Sequence, residues 1–196
     1  MNFIFDIGNV LVDYKPLTLL GRLFSNSGLA NKLYNAIFQS PEWLLMDQGL
    51  LSHDEAVDIF CARESGFRAE IQKTMHNVND IFTPIYGTIK LLPIIKESGH
   101  GLYYLSNIQQ EIRDFLLENH GYFALFNGGV FSCDINEIKP SPVIYRHLLE
   151  KYQLVPEECL FFDDVEENVS AAEKLGIKSV LFTTADCILP FIDDID

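Results

Sequence analysis

The chain has 196 residues, 48% apolar and 21% charged, and its 14 lysines and arginines face 28 aspartates and glutamates for a net charge of −14. These proportions are those of an ordinary globular protein and exclude a disordered chain, a collagen or a coiled coil. The acidic balance argues against nucleic acid, whose binding needs cations to neutralise phosphates, and against an anionic membrane surface. The length fits one domain, or one domain with a sizeable insert. Such a chain buries roughly 70% of its unfolded surface and needs no disulfide or metal staple. Cys61, Cys133, Cys159 and Cys187 lack the spacing of a zinc site or a disulfide framework, and suit a reducing cytoplasm, the expected location. The apolar N-terminus has no positive region and meets Asp6 at once, so no signal peptide is expected. No apolar run approaches the roughly 18 residues of a membrane span. Oligomeric state is not readable, and a monomer is compatible with all of this.

The first predicted strand is Asn2–Phe5. From about Tyr14 to Asp80 no strand is evident. Ser52-His53-Asp54-Glu55 is a capping box opening a helix over His53–Arg63, and Gly28, Ser40-Pro41 and Ser65-Gly66 read as breaks. A helical insert of roughly 65 residues is too long for an ordinary loop. Thr83-Pro84 is expected to start a helix that leads back to the second strand, Leu102–Leu105. Then come a helix over Ile108–Asn119, a strand at Gly129–Phe131, a helix over Pro142–Lys151 and a strand at Leu160–Phe162. A helix over Val165–Leu175, stopped by Gly176, and a strand at Ser179–Phe182 complete the series. Short runs without polar alternation fit strands buried on both faces, and their alternation with helices indicates right-handed βαβ units. The expected fold is α/β, a Rossmann-like doubly wound parallel sheet. The expected organisation is a core at residues 1–13 and 81–196 with a helical cap at 14–80. The acidic tail at 191–196 reads as a solvated end.

Ligands of open α/β sheets bind beyond the carboxyl ends of the strands. Asp6-Ile7-Gly8-Asn9 follows the first strand and Ser106-Asn107 the second. Lys139-Pro140 lies a short loop beyond the third, and Asp163-Asp164 follows the fourth. Each has a plain structural alternative. Asp6 can open a turn before Gly8, Ser106-x-x-Gln109 is itself a capping box, Lys139 can be a surface lysine ahead of a helix with Pro140 near N1, and Asp164 can cap the next helix. Caps account for Ser106 and Asp164. They do not account for Asp6 among apolar neighbours, nor for a second acid at Asp163.

Together these groups suit phosphoryl transfer. A carboxylate can attack phosphorus and divide hydrolysis into two steps through an aspartyl phosphate. An anionic nucleophile meeting an anionic phosphate requires neutralisation, which Mg²⁺ provides while taking only one or two protein carboxylates. Asp6 and Asp164 would supply those carboxylates, Lys139 a positive charge, and Ser106 with the N–H groups after Asp6 hydrogen bonds.

The four motifs, in this order, resemble the haloacid dehalogenase superfamily. They are FDIGNVLVDY at Phe5–Tyr14, LSN at Leu105–Asn107, KP at Lys139-Pro140 and FFDDVEENVSAAEKLG at Phe161–Gly176. The first is similar to the α-D-glucose-1-phosphatase branch of that superfamily, and the insert stands where the family carries a cap. The resemblance implies that Asp6 is nucleophile and metal ligand, and that the Gly8 carbonyl and Asp164 complete the protein's share of the metal shell. It also implies that Ser106, Asn107 and Lys139 contact the phosphate and that Asp163 and Asn168 support the metal loop. The expected activity is Mg²⁺-dependent hydrolysis of a small phosphomonoester, a sugar phosphate among the candidates.

One position departs from the pattern. Most phosphatases of this superfamily carry, two residues after the nucleophile, a second Asp that protonates the leaving group. Here it is Gly8, as in the glucose-1-phosphatase branch. A positioned acid is worth about 10²–10⁴-fold. Its loss leaves three readings: a leaving group good enough unaided, with slow turnover; a substitute acid such as Asp13, Asp47 or His53; or a protein that no longer turns over. The first is the expected one. Trp43 reads as insert core rather than a substrate platform. The rival readings are a dehalogenase and a phosphate-ligand-binding protein without turnover. Dehalogenases usually have tyrosine at the Gly8 position and lack the acidic pair.

Overall fold

The computed structural model describes residues 1–192, so residues 193–196 of the acidic tail lie outside the described residues. The chain begins with β1 (Asn2–Phe5) and turns into β2 (Val12–Tyr14). Five helices follow: α1 (Pro16–Leu23), α2 (Ser27–Ile37), α3 (Pro41–Asp47), α4 (His53–Arg63) and α5 (Arg68–His76). β3 (Phe82–Pro84) then returns alongside β2. The rest alternates: α6 (Tyr86–Ile89), α7 (Leu91–Glu97), β4 (Gly101–Ser106), α8 (Gln110–Asn119), β5 (Gly128–Phe131), α9 (Ser132–Ile135), α10 (Pro142–Tyr152), β6 (Cys159–Asp163), α11 (Glu166–Glu173) and β7 (Lys178–Leu181).

The five long-range strands form one parallel sheet in the order β5-β4-β1-β6-β7. β1 is central and pairs with both β4 and β6, so the chain order reverses beside it. Crevices beyond the strand ends form at such points. Alternation along the strands feeds both faces. Phe3, Phe5, Leu160 and Phe162 point to the face carrying α7 and α8, where Leu92, Ile95, Ile112 and Leu116 bury against them. Ile4, Leu105, Val130 and Phe161 point to the other face, against Ile144, Tyr145 and Leu148 of α10 and Ala172 of α11. The α/β expectation is met, and the reason is visible in β6, whose five residues are all buried.

Two expectations are corrected here. Thr83-Pro84 does not start a helix; it lies in β3, which pairs antiparallel with β2 through Val12–Pro84, Asp13–Thr83 and Tyr14–Phe82. Proline tolerates this edge position because it need not donate. The helical insert is therefore closed at its base by a two-stranded ribbon, and Tyr14 belongs to a strand. Within the insert, local signals act as expected. Asn26 caps α2, Ser40 caps α3 ahead of Pro41, and Ser52 and Glu55 form a reciprocal capping box on α4. The insert's Leu33, Ile37, Phe60, Ile71 and Met75 belong to the same continuous apolar cluster as Phe3 and Phe5, which seats the helices over the sheet edge.

Candidate active site

β1 delivers Asp6 to the sheet edge, where its N–H donates to the Phe162 carbonyl at 2.9 Å. The chain then turns tightly: Leu11 and Val12 N–H both donate to the Ile7 carbonyl at 2.9 Å, and Asn9 adopts φ 54°. Asparagine tolerates this left-handed conformation better than most side chains. The turn leaves Asp6 7% exposed, facing a cavity of about 330 Å³.

Around Asp6 the separated motifs converge. Lys139 Nζ lies 2.8 Å from Asp6 Oδ1 and donates to Asp163 Oδ2 at 2.6 Å. Asp163 is fully buried and saturated: its Oδ1 accepts from Val165 N–H at 2.9 Å, and Asn168 Nδ2 reaches its two oxygens at 3.0 and 3.1 Å. Asp164, the next residue, lines the cavity, and its Oδ2 accepts from Asn9 Nδ2 at 2.9 Å. Two adjacent acids thus do different work, because successive side chains of a strand end point to opposite sides. Ser106 ends β4 and lines the cavity. Asn107 also lines it, but both ends of its amide grip Lys139: Nδ2 donates to the Lys139 carbonyl at 3.0 Å, and Lys139 N–H donates to Oδ1 at 2.8 Å. Asn107 thereby fixes the loop that carries the ammonium.

Of the plain structural alternatives, the turn after Asp6 is present, and the other three do not hold. α8 starts at Gln110, four residues beyond Ser106. The cap position of α11 is Val165, not Asp164. α10 is capped by Ser141 with Pro142 in its first turn, so Pro140 is outside the helix. Lys139 is only 3% exposed and is no surface lysine. The Lys139–Pro140 peptide is cis.

Burial dominates the electrostatics. It pushes the Asp6 carboxyl up to about 7; Lys139 opposes that rise and Asp163 adds to it. Burial alone would lower the Lys139 ammonium, yet Asp6 and Asp163 outweigh it and hold it above its ordinary value. Oxygens of Asp6, Asp163 and Asp164 lie within 4.8 Å of one another. When ionised, three carboxylates against one ammonium leave two negative charges uncompensated in a water-poor site. That oxygen donor set fits a hard divalent cation.

The remaining wall belongs to the insert and ribbon. Tyr14, Phe38, Trp43 and Phe82 give it an aromatic character, and Gln39 and Asp47 its polar groups. Trp43 is 93% buried and packed on Phe38 with ring centroids 4.7 Å apart. Of the three acids considered as substitutes for Gly8, only Asp47 lines the cavity. Sequence reasoning missed Asn9, which joins the turn after Asp6 to Asp164 and accepts from Tyr14 N–H at 3.0 Å. Its position after Gly8 in a tight turn was the available signal. Ser132 was also missed; it ties the insert to the sheet edge.

A family model described as haloacid dehalogenase-like hydrolase matches residues 1–176, and the chain belongs to that family. Among curated relatives, the sesquiterpene phosphatase astK of Aspergillus oryzae is 26% identical over 92% of this chain and 88% of its own length. The phosphorylated carbohydrates phosphatase of Thermotoga maritima is 26% identical over 90% and 82%. A HAD family enzyme from Bacteroides thetaiotaomicron, solved in complex with magnesium and inorganic phosphate, superposes with a TM-score of 0.74 at 20% identity over 93% and 94% of the two chains. The last comparison shows the shared fold. No helix among the described residues is long and apolar enough to cross a membrane.

Proposed function

We infer that the protein is a Mg²⁺-dependent phosphatase of small phosphomonoesters that works through an aspartyl phosphate on Asp6. The observation that carries this reading is the buried Asp6–Lys139–Asp163 chain lying beside the cavity-facing Asp164. Asp6, the Gly8 carbonyl and Asp164 would hold the metal. Bound there, Mg²⁺ supplies the charge neutralisation that lets an anionic carboxylate approach an anionic phosphate. Asp6 attacks phosphorus and the ester oxygen leaves; water then hydrolyses the acyl phosphate and regenerates Asp6. Lys139 brings a positive charge to the phosphate oxygens, while Ser106 and the N–H groups after Asp6 donate hydrogen bonds. Asn107, Asp163 and Asn168 hold Lys139 and the Asp164 turn in place. Residues 14–80 act as a cap over the site, limiting water.

The names of the relatives support phosphomonoester hydrolysis and span an apolar and a carbohydrate substrate class, with sugar phosphates among the candidates here. The magnesium and phosphate held by the Bacteroides neighbour support the metal. The net charge of −14 works against a phosphate at long range, but at about 0.15 M salt the Debye length of ~8 Å screens distant acids. Attraction is then local, and phosphate binding without metal should be weak.

The test is a phosphomonoester panel with Mg²⁺, with EDTA, and with Asp6→Asn. We expect phosphate release that EDTA abolishes and that Asp6→Asn lowers by at least about 10³-fold. Undiminished hydrolysis in Asp6→Asn would remove the nucleophile assignment. EDTA-indifferent release of halide from haloacids would favour dehalogenation, and Mg²⁺-dependent ligand binding with no hydrolysis would favour a binding protein.

A further inference from the structure

We propose that Asp47, the last residue of α3, donates the proton to the leaving-group oxygen that Gly8 cannot supply. This rests on the phosphatase reading above. Asp47 lines the same cavity as Asp6, Ser106 and Lys139. No hydrogen bond or ion pair engages its carboxyl among the described residues, and burial alone pushes it up to about 7. A carboxylic acid near that value carries its proton at working pH and can release it in a transition state.

The backbone holds Asp47 at a fixed height over the site. Its carbonyl accepts from Ser132 Oγ at 2.5 Å, and that Ser132 hydroxyl in turn accepts from the N–H of Ile108, the residue after Asn107, at 2.8 Å. One residue on, the Gln48 carbonyl accepts from Asn136 Nδ2 at 2.8 Å. Gly49 then adopts φ +68° and lies so close to the Cys133 carbonyl that a Cβ has no room. The α3–α4 turn is thereby clamped to the sheet edge at three successive residues. Below it, a Cβ placed on Gly8 meets no atom within 4 Å, so the space usually occupied by an acid is open. The alternatives do not line the cavity. Asp13 pairs with Lys15 at 2.5 Å, and His53 does not line the cavity.

The step balances. Asp6 forms a bond to phosphorus as the ester P–O bond breaks, and the departing oxygen takes the Asp47 proton to leave as an alcohol. The Asp47 carboxylate then accepts a proton from the water that hydrolyses the aspartyl phosphate, which restores both acids.

The test reads kcat/KM, which reports only the steps through phosphoryl transfer to Asp6, across Mg²⁺-supported esters from nitrophenyl to simple alkyl. Asp47→Asn should lose about 10²–10⁴-fold on alkyl phosphates and progressively less as the leaving group improves, so that the leaving-group dependence steepens. Asp13→Asn and His53→Gln should keep the wild-type slope. Gly8→Asp introduced into Asp47→Asn should recover at least tenfold on alkyl esters. A wild-type slope in Asp47→Asn, an equal loss on every ester, or a steepened slope in either control variant would overturn the assignment. Asp6→Asn separates the two readings. If it is inactive on all esters while Asp47→Asn keeps the wild-type slope, only the donor is wrong. If it remains active, the phosphatase mechanism itself fails.

Discussion

The sheet edge and the helical insert meet the same cavity with opposite designs. At the sheet edge Asp6, Lys139 and Asp163 are buried in one connected chain, and Lys139 bridges the two carboxylates within 2.8 Å. Across the cavity, the insert offers aromatic rings, one amide and a single acid with no partner among the described residues. The first arrangement is costly to build and hard to deform, as a site that must hold a nucleophile in register should be. In the second, Gln39 and Asp47 face the cavity outside that chain, so their side chains can change without breaking it. On the proposed function, the difference separates two properties: phosphoryl transfer belongs to the sheet edge and choice of leaving group to the insert.

Removing the bridge should have the largest effect on stability. Lys139→Met keeps the buried stem and deletes the ammonium, which leaves Asp6 and Asp163 facing each other unpaired. Truncating one partner of a buried ion pair typically costs about 3–5 kcal/mol. The loss should be greater at pH 8 than at pH 5, because protonation of Asp6 relieves the repulsion at the lower pH. Chemical denaturation in EDTA at both pH values measures it, and a loss under about 1 kcal/mol would show that the sheet edge tolerates change as the insert does.

The same contrast decides what could be read in the sequence. Asp6, Ser106, Lys139 and the acidic pair are legible because each follows a run of β-rich apolar residues, and parallel strands align their carboxyl ends by topology. The division of labour between Asp163 and Asp164 is not legible, since it depends on which of two neighbours points into the cavity. β2 and β3 escape notice because each has three residues, their pairing spans seventy positions, and Thr83-Pro84 carries a helix-start pattern. Asn9 looks like any polar turn residue until Asp164 is folded against it. In the insert, helical periodicity shows the helices but cannot say which of Asp13, Asp47 and His53 ends over the site. That depends on contacts such as Ser132 to Asp47, 85 residues apart.

An intermediate effect is expected where the two regions are clamped. Gly49→Ala places a methyl group at positive φ and against the Cys133 carbonyl. The conformational strain is about 1–3 kcal/mol, and the steric clash pushes the α3–α4 turn away from the sheet edge. We expect activity on alkyl phosphates to fall more than tenfold while Mg²⁺ affinity, which the proposed function assigns to the sheet edge, changes little. Steady-state kinetics beside calorimetric Mg²⁺ titration checks this. Equal losses in both would mean that the insert and the metal site are one mechanical unit.

The smallest effect concerns Asp47 without any chemistry. In the folded chain burial holds its carboxyl at about 7, above the 3.8 of the unfolded chain. Between those values the folded state keeps a proton that the unfolded state has released, so this group favours folding at low pH and loses that contribution as pH rises through about 7. Asparagine cannot ionise and escapes the loss. The melting temperature of Asp47→Asn relative to wild type should therefore climb from pH 4 to pH 7 and level off above pH 8. The side chain is partly open to the cavity, which moderates the gain; in a chain of this size 1 kcal/mol moves the midpoint by about 2–4 °C. A difference that is flat with pH would mean that Asp47 is solvated like a surface acid. That would dissolve the distinction between an insert with one desolvated acid and an insert that is merely a lid.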